Sequence, residues 1–135
     1  MRINLETDYA VRIVQCLAQA GQRLDANTIA QKTGVTLRFS LKILRKLVGA
    51  GIVKSFKGAS GGYLLQKAPE DITLLEVIEI ISGPIVISRC QSVDYVCDHP
   101  DECSCSFQHL FYEVSKEIAE RFAKVNFADK ERCKE

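Results

Sequence analysis

Four cysteines lie close together in the second half of the chain, within the polar stretch RCQSVDYVCDHPDECSCSFQHLF, at Cys90, Cys97, Cys103 and Cys105. Thiolates grouped in this way can hold an iron–sulfur cluster or zinc, form a thiol–disulfide switch, or have no chemical role. Structural zinc sites usually use two close pairs of ligands. Here six residues separate Cys90 from Cys97, and five separate Cys97 from Cys103. The wide spacing favours a cluster held by an extended segment, and it leaves zinc open.

The composition of the chain indicates the compartment in which these thiols occur. The chain has 135 residues, of which 47% are hydrophobic and 26% charged, as expected for one globular domain or a small domain with an extra element. No apolar run approaches 18 residues, and the N-terminus MRINLETDYAVR is too charged for a signal peptide. We therefore expect a cytoplasmic protein that does not enter the membrane. Disulfides are rare in the cytoplasm, so a metal or redox site is favoured over a disulfide framework.

Charge is distributed unevenly between the two halves of the chain. Residues 1–67 carry 11 lysines and arginines against 3 aspartates and glutamates, whereas residues 68–135 carry 7 against 14. A basic half beside an acidic half indicates that the first half binds a polyanion such as nucleic acid, unless the surface is simply uneven.

The basic half has the pattern of a helix-turn-helix. Apolar residues at helical spacing predict a helix over residues 5–20, and Cys16 lies on its apolar stripe as a small core residue. A short helix over NTIAQKT, with Asn27 as its cap, is followed by a turn at Gly34. Thr36 can cap a further helix that runs towards Gly51. Two helices joined by a glycine turn are typical of a helix-turn-helix.

The last of these helices and the segment after it could contact DNA. Arg38, Lys42 and Arg45 recur along one side of the helix, opposite an apolar side that can pack on a core. Short strands at residues 52–56 and 63–66 flank the glycine-rich tip KGASGG, which predicts a wing. The predicted fold is mainly α with a small β-hairpin: a winged helix-turn-helix domain plus a long C-terminal dimerisation helix. The residues predicted to contact double-stranded DNA are Arg38, Phe39, Lys42, Arg45, Lys57, Gly58, Ser60 and Gly61.

Three motifs carry a resemblance to a known family. The opening TDYAVR, the wing KGASGGYLL, and RCQ followed by spaced cysteines before a long helix resemble the IscR/NsrR/RirA group of winged-helix regulators, the Rrf-two family. The resemblance implies a homodimer on a pseudo-palindromic operator, and in many members an iron–sulfur cluster as sensor. The chain departs from the family at Ser40, where a large aliphatic residue is usual.

The resemblance also implies which residues hold the cluster. In relatives, a large apolar residue lies six positions after the last cysteine ligand. Counting from Cys105 gives Phe111, whereas counting from Cys103 gives His109. The implied ligands are therefore Cys90, Cys97 and Cys105 for a [2Fe-2S] or [4Fe-4S] cluster, with Cys103 as a possible fourth. Some members use a histidine at the position of Gln108, and others an aspartate of the other subunit at the position of Asp8. His109 would point away from the helical face that carries Gln108.

The acidic half completes the predicted organisation. An apolar seam of residues three and four apart runs over residues 107–125 and needs a partner surface, either the same helix of a second subunit or the protein's own domain. The predicted segments are the DNA-binding domain at residues 1–83, the cysteine-rich loop at 84–105, the dimerisation helix at 106–126, and a flexible tail at 127–135.

These observations predict a transcriptional regulator, most simply a repressor, whose operator affinity depends on an iron–sulfur cluster that senses nitric oxide, redox state or iron supply. The alternatives are a thiol-switch or zinc-stabilised regulator of the same fold, and an iron–sulfur electron-transfer module. No nucleophile elbow, P-loop or acid–base pair occurs at a recognisable spacing, so we expect no enzymatic activity.

Overall fold

The computed structural model describes residues 2–98 and 105–128, and in these residues the chain forms five α-helices and one β-hairpin. Two short 3₁₀ helices, Pro69–Asp71 and Arg89–Gln91, lie between the longer elements. The order of these elements confirms the predicted mainly α fold with a winged helix-turn-helix and a C-terminal helix. The elements are α1 (Leu5–Ala20), α2 (Ala26–Thr33), α3 (Leu37–Gly49), β1 (Val53–Phe56), β2 (Gly62–Leu65), α4 (Leu74–Ser82) and α5 (Ser106–Ala123).

Side-chain caps fix the starts of the first four helices. In each case the cap oxygen accepts a hydrogen bond from the backbone N–H three residues later, which satisfies an amide that has no partner within the helix. For α2 the predicted cap Asn27 was wrong. The cap is Asp25, whose carboxylate accepts a hydrogen bond from Thr28 N at 2.8 Å, and this bond lowers the pKa of Asp25. The four cap residues are Asn4, Asp25, Thr36 and Thr73.

The hairpin is joined to the turn between α1 and α2. Strands β1 and β2 pair antiparallel, with Val53 opposite Leu65 and Phe56 opposite Gly62. Leu24 exchanges two backbone hydrogen bonds with Tyr63, of 3.0 and 2.8 Å. A Cβ added at Gly62 would lie 2.7 Å from the carbonyl oxygen of Leu24, so only glycine fits there. The base of the wing is thereby fixed to the helix-turn-helix.

One cluster of apolar side chains connects helices α1 to α4 with the first strand. Ile13, Ile43 and Val77 are fully buried and belong to α1, α3 and α4 respectively. Cys16 is half-buried against this cluster, and burial raises the pKa of its thiol, which confirms its predicted place on the apolar stripe of α1. Ser40 is also fully buried, but its hydroxyl makes no hydrogen bond within the described part of the chain.

The end of α5 differs from the prediction. The helix ends at Ala123 rather than continuing to residue 126, and the chain then turns back towards α4. Leu74 N donates a hydrogen bond of 2.8 Å to the carbonyl of Val125, and Phe127 packs against the core, so the first predicted tail residue is part of the fold. Residues 129–135, which include most of that tail and Cys133, lie outside the described residues.

The apolar seam of α5 divides into two parts. Ile118 and Phe122 are half-buried and line an apolar groove with Ile78, so this part of α5 packs on its own domain, as the alternative interpretation predicted. Phe107 and Leu110, nearer the start of the helix, are 66% and 51% exposed in the single chain. This part of α5 is available to cover another surface. Across the described residues, no helix has the combined length and hydropathy needed to cross a bilayer.

Candidate nucleic-acid interface and cysteine site

The exposed side of α3 carries the basic residues that the sequence predicted for DNA contact. Arg38, Lys42 and Arg45 line one shallow groove, which confirms that they share a face of the helix. The opposite side of α3 buries Ile43, Leu44 and Leu47 in the core, so the helix presents these cations to solvent on a rigid support.

Phe39 has a different position from the three cations. Its ring is half-buried and meets the ring of Tyr9 edge to face, with centroids 5.4 Å apart, while Lys42 Nζ lies 5.5 Å from its centroid. Phe39 therefore joins α1 to α3 and supports Lys42. It also borders the groove, where its exposed edge can meet a ligand.

A carboxylate from α1 reaches the basic side of α3. Glu6 Oε1 lies 2.6 Å from Lys46 Nζ and 3.8 Å from Lys42 Nζ. The hydrogen bond from Lys46 holds the pKa of Glu6 below its ordinary value. The sequence analysis missed both Glu6 and Lys46. Extending the basic stripe one further turn from Lys42 would have found Lys46.

The wing tip is held by a residue that the sequence analysis also missed. Arg23, in the turn before α2, donates a hydrogen bond of 3.1 Å to the carbonyl of Ser60 and stacks over the ring of Phe56, 3.7 Å from its centroid. Lys57, Gly58 and Ser60 are exposed at the tip, as expected for residues that approach DNA. No local signal identifies Arg23, because its partners are more than thirty residues away.

The glycines of the wing are needed by the hairpin itself. A Cβ at Gly61 would lie 2.4 Å from the carbonyl oxygen of Phe56, and Gly58 has φ +96°. The sequence analysis predicted both glycines as DNA contacts. The structure shows that the tight turn already requires them, because no larger residue fits at residue 61.

Two of the predicted cysteine ligands meet in one cavity. Cys90, in the 3₁₀ helix Arg89–Gln91, and Cys105, at the start of α5, line a cavity of about 430 Å³ with Gln108, His109 and Tyr112. The cavity lies against the first turns of α5, where residues 108 and 109 both border it.

Polar side chains hold the Cys90 segment against α5. Ser115 Oγ is buried and donates a hydrogen bond of 3.1 Å to Gln91 Oε1, and it accepts one of 3.1 Å from Ile87 N. Gln91 Oε1 also accepts hydrogen bonds from the backbone N–H groups of Ile87 and Ser88. Ser88 Oγ lies 3.0 Å from Cys90 Sγ. This network fixes the backbone on both sides of the Cys90 thiol.

The other predicted ligands lie elsewhere. Cys97 is exposed in the irregular segment after the 3₁₀ helix and does not line the cavity. Asp8 belongs to α1 and forms an ion pair of 2.8 Å with Arg12. Cys103 lies outside the described residues. In the described ranges, no three histidine, cysteine or acidic side chains lie close enough together to hold a metal ion.

Comparison with known proteins identifies the family. The family model described as "Rrf2: Iron-dependent Transcriptional regulator" matches residues 3–130. The chain belongs to the Rrf2 family. An rrf2-like HTH-type transcriptional regulator of Rhodobacter capsulatus is 37% identical over 120 residues, which are 83% of this chain and 80% of that protein. Membership makes the chain a DNA-binding transcriptional regulator with a winged helix.

Solved Rrf2-family structures share the fold. CymR, the global cysteine regulator of B. subtilis, has a TM-score of 0.78 and 24% identity, with 96% of this chain and 95% of CymR covered. IscR of T. potens has a TM-score of 0.76 and 23% identity, with 100% of this chain and 89% of IscR covered. At these identities the likeness concerns the fold alone.

Proposed function

We propose that the chain is a homodimeric, cytoplasmic transcriptional repressor whose affinity for a pseudo-palindromic operator is controlled by an iron–sulfur cluster. One observation carries this proposal: Cys90 and Cys105 line the same cavity, although they are fifteen positions apart in the sequence. The proposed DNA contacts are Arg38, Phe39, Lys42, Arg45, Lys57, Gly58, Ser60 and Gly61.

The DNA-binding part of the proposal is supported by the placement of the cations. Helix α3 presents Arg38, Lys42 and Arg45 along one exposed face, which suits a helix lying in the major groove. Lys57 is exposed at the tip of the wing, where it can reach a phosphate. Arg23 stabilises this tip in one position, so less conformational freedom is lost when DNA binds.

The cysteine site suits an iron–sulfur cluster in its chemistry. We propose Cys90, Cys97 and Cys105 as the ligands, because thiolates are the usual ligands of such clusters. Cys97 would have to join the other two thiols from its exposed segment. When bound, a cluster supplies a centre that reacts with nitric oxide and oxidants, which is the chemistry a sensor requires.

The fourth ligand position has several candidates. Gln108 and His109 both border the cavity that Cys90 and Cys105 line, which makes each of them a candidate from the same chain. His109 Nε2 lies 3.3 Å from Glu113 Oε1, so the Glu113 carboxylate can orient the imidazole. Asp8 could serve only from the other subunit of the proposed dimer, and Cys103 remains a further candidate.

The proposed dimer would cover the exposed start of α5. Phe107, Leu110 and Tyr112 are each at least half exposed in the single chain, and they precede the part of α5 that packs on its own domain. Burying such side chains against a second copy of α5 stabilises a two-fold interface.

A thiol switch without a cluster is the second candidate. Cys90 and Cys105 line the same open cavity, so oxidants can reach both thiols. CymR, which shares this fold, is the global cysteine regulator of B. subtilis. In this alternative the same two cysteines would control DNA affinity through their oxidation state.

One experiment separates these functions. Protein purified without oxygen would be assayed for iron and sulfide and by ultraviolet–visible absorption, beside the variants Cys105→Ala and Cys16→Ala. We expect sulfide-dependent charge-transfer absorption in the parent protein and in Cys16→Ala, because Cys16 lies in α1 away from the cavity, and its loss in Cys105→Ala. A colourless protein that cannot be reconstituted would overturn the cluster and leave the thiol switch or a zinc site.

A further inference from the structure

The carboxylate of Glu6 occupies the basic side of α3 where DNA phosphate is expected to bind. It lies 2.6 Å from Lys46 Nζ and 3.8 Å from Lys42 Nζ. The Glu6 side chain is only 22% exposed, whereas the lysine side chains are 56% and 40% exposed. The carboxylate is therefore sheltered by the protein, while both ammonium groups remain open to solvent and to a ligand.

Glu6 is held in this position by the start of α1. Asn4 caps the helix by accepting a hydrogen bond of 2.8 Å from Thr7 N. The side chains of Asn4 and Thr7 both hydrogen-bond to Ser82 Oγ at the end of α4. The first turn of α1, which carries Glu6, is thus fixed to a second helix and cannot swing away freely from α3.

We propose that Glu6 is an internal competitor of DNA phosphate for Lys42 and Lys46. The proposal rests on the proposed role of α3 in contacting DNA. In it, Glu6 lowers the affinity of the protein for any DNA duplex. Affinity for DNA without sequence preference comes almost entirely from lysine and arginine contacts to phosphate. A lysine held by a carboxylate must leave it, or share its charge, before it can contribute to that affinity.

A purely structural ion pair between α1 and α3 gives the opposite expectation. If Glu6 only joined the two helices, its loss would loosen α3 and weaken DNA binding or leave it unchanged. If Glu6 competes with phosphate, its loss strengthens DNA binding even though the ion pair is gone. The change in affinity, compared with that caused by the same charge change elsewhere on the surface, therefore decides between the two roles.

The test uses the full chain and a mixed-sequence double-stranded DNA fragment, with affinity measured by fluorescence anisotropy over a range of salt concentrations. The variant is Glu6→Gln, and the matched control is Glu79→Gln, which makes the same change in net charge at an exposed position on α4. Both variants are also made in a background that carries Lys42→Met and Lys46→Met.

We expect Glu6→Gln to bind roughly two- to fivefold tighter than the parent at low salt, a gain that salt diminishes because it screens exposed charges. Glu79→Gln should show a clearly smaller gain, and in the double-methionine background the two variants should behave alike. If the parent binds DNA but Glu6→Gln gains no more than Glu79→Gln, the competitor role is wrong while the DNA interface stands. If the parent fails to bind duplex DNA even at low salt, the proposed interface itself fails.

Discussion

Replacing Ser40 by alanine should stabilise this protein, although Ser40 is fully buried in α3. Its hydroxyl makes no hydrogen bond within the described residues. A buried hydroxyl without a partner has lost its hydrogen bonds to water and gained none in return. Ser115 provides a matched comparison, because it is also a buried helical serine but makes two hydrogen bonds, to Gln91 and Ile87.

The expected magnitudes follow from these surroundings. Leaving a buried polar group unsatisfied costs about 1–3 kcal/mol, so Ser40→Ala should raise the free energy of unfolding by about 1–2 kcal/mol after a small loss of packing. Each hydrogen bond of Ser115 contributes about 0.5–1.5 kcal/mol, so Ser115→Ala should lower the free energy of unfolding by about 1–2 kcal/mol. Alanine favours a helix more than serine does, which adds slightly to the first effect and offsets part of the second.

Urea unfolding at one fixed protein concentration, followed by circular dichroism, measures both changes. The unfolding midpoint should rise for Ser40→Ala and fall for Ser115→Ala, with slopes like that of the parent protein. A fall in the midpoint of Ser40→Ala as large as that of Ser115→Ala would refute the reasoning, since it would mean that the Ser40 hydroxyl has a stabilising partner.

Two further predictions concern the wing. Arg23→Lys keeps the charge but should weaken binding to a mixed-sequence duplex about two- to fivefold, because lysine lacks the planar group that stacks on Phe56. Fluorescence anisotropy titrations measure this change. An unchanged affinity would show that Arg23 does not position the wing. Gly62→Ala should lower the free energy of unfolding by about 2–4 kcal/mol, because the added Cβ would meet the Leu24 carbonyl. Gly49→Ala, in open space at the end of α3, should raise the free energy of unfolding slightly. Equal changes in the thermal unfolding midpoints of the two variants would contradict this.

Local signals in the sequence predicted most of the fold. Thr36 caps a helix where the sequence placed it, and Gly34 ends α2 in the left-handed conformation. Such signals work because a cap or a turn depends on atoms within a few residues. Even the mistaken cap at Asn27 was wrong by only two residues, because Asp25 offers the same kind of acceptor earlier in the chain.

The contacts that shape the two sites join residues far apart in the chain, and the sequence could not reveal them. Glu6 and Lys46 are forty positions apart, and Arg23 and Ser60 are thirty-seven apart. Their pairing depends on how whole helices pack, which no local pattern specifies. Helical spacing likewise gives the angle between Gln108 and His109, but it does not give the place of the cavity that both residues border.

The proposed sensor and the DNA-binding helices share one structural junction. The segment that leads to the cysteine-rich loop follows α4, which ends at Ser82. Ser82 is hydrogen-bonded to Asn4, the cap of α1, and to Thr7 in the first turn of α1. That same turn carries Glu6, which contacts the lysines of α3. Under the proposed function, a change in the cysteine segment that moves Ser82 would also move Glu6. The affinity for DNA would then change because the competing carboxylate moves relative to the lysines, with no need for α3 itself to refold.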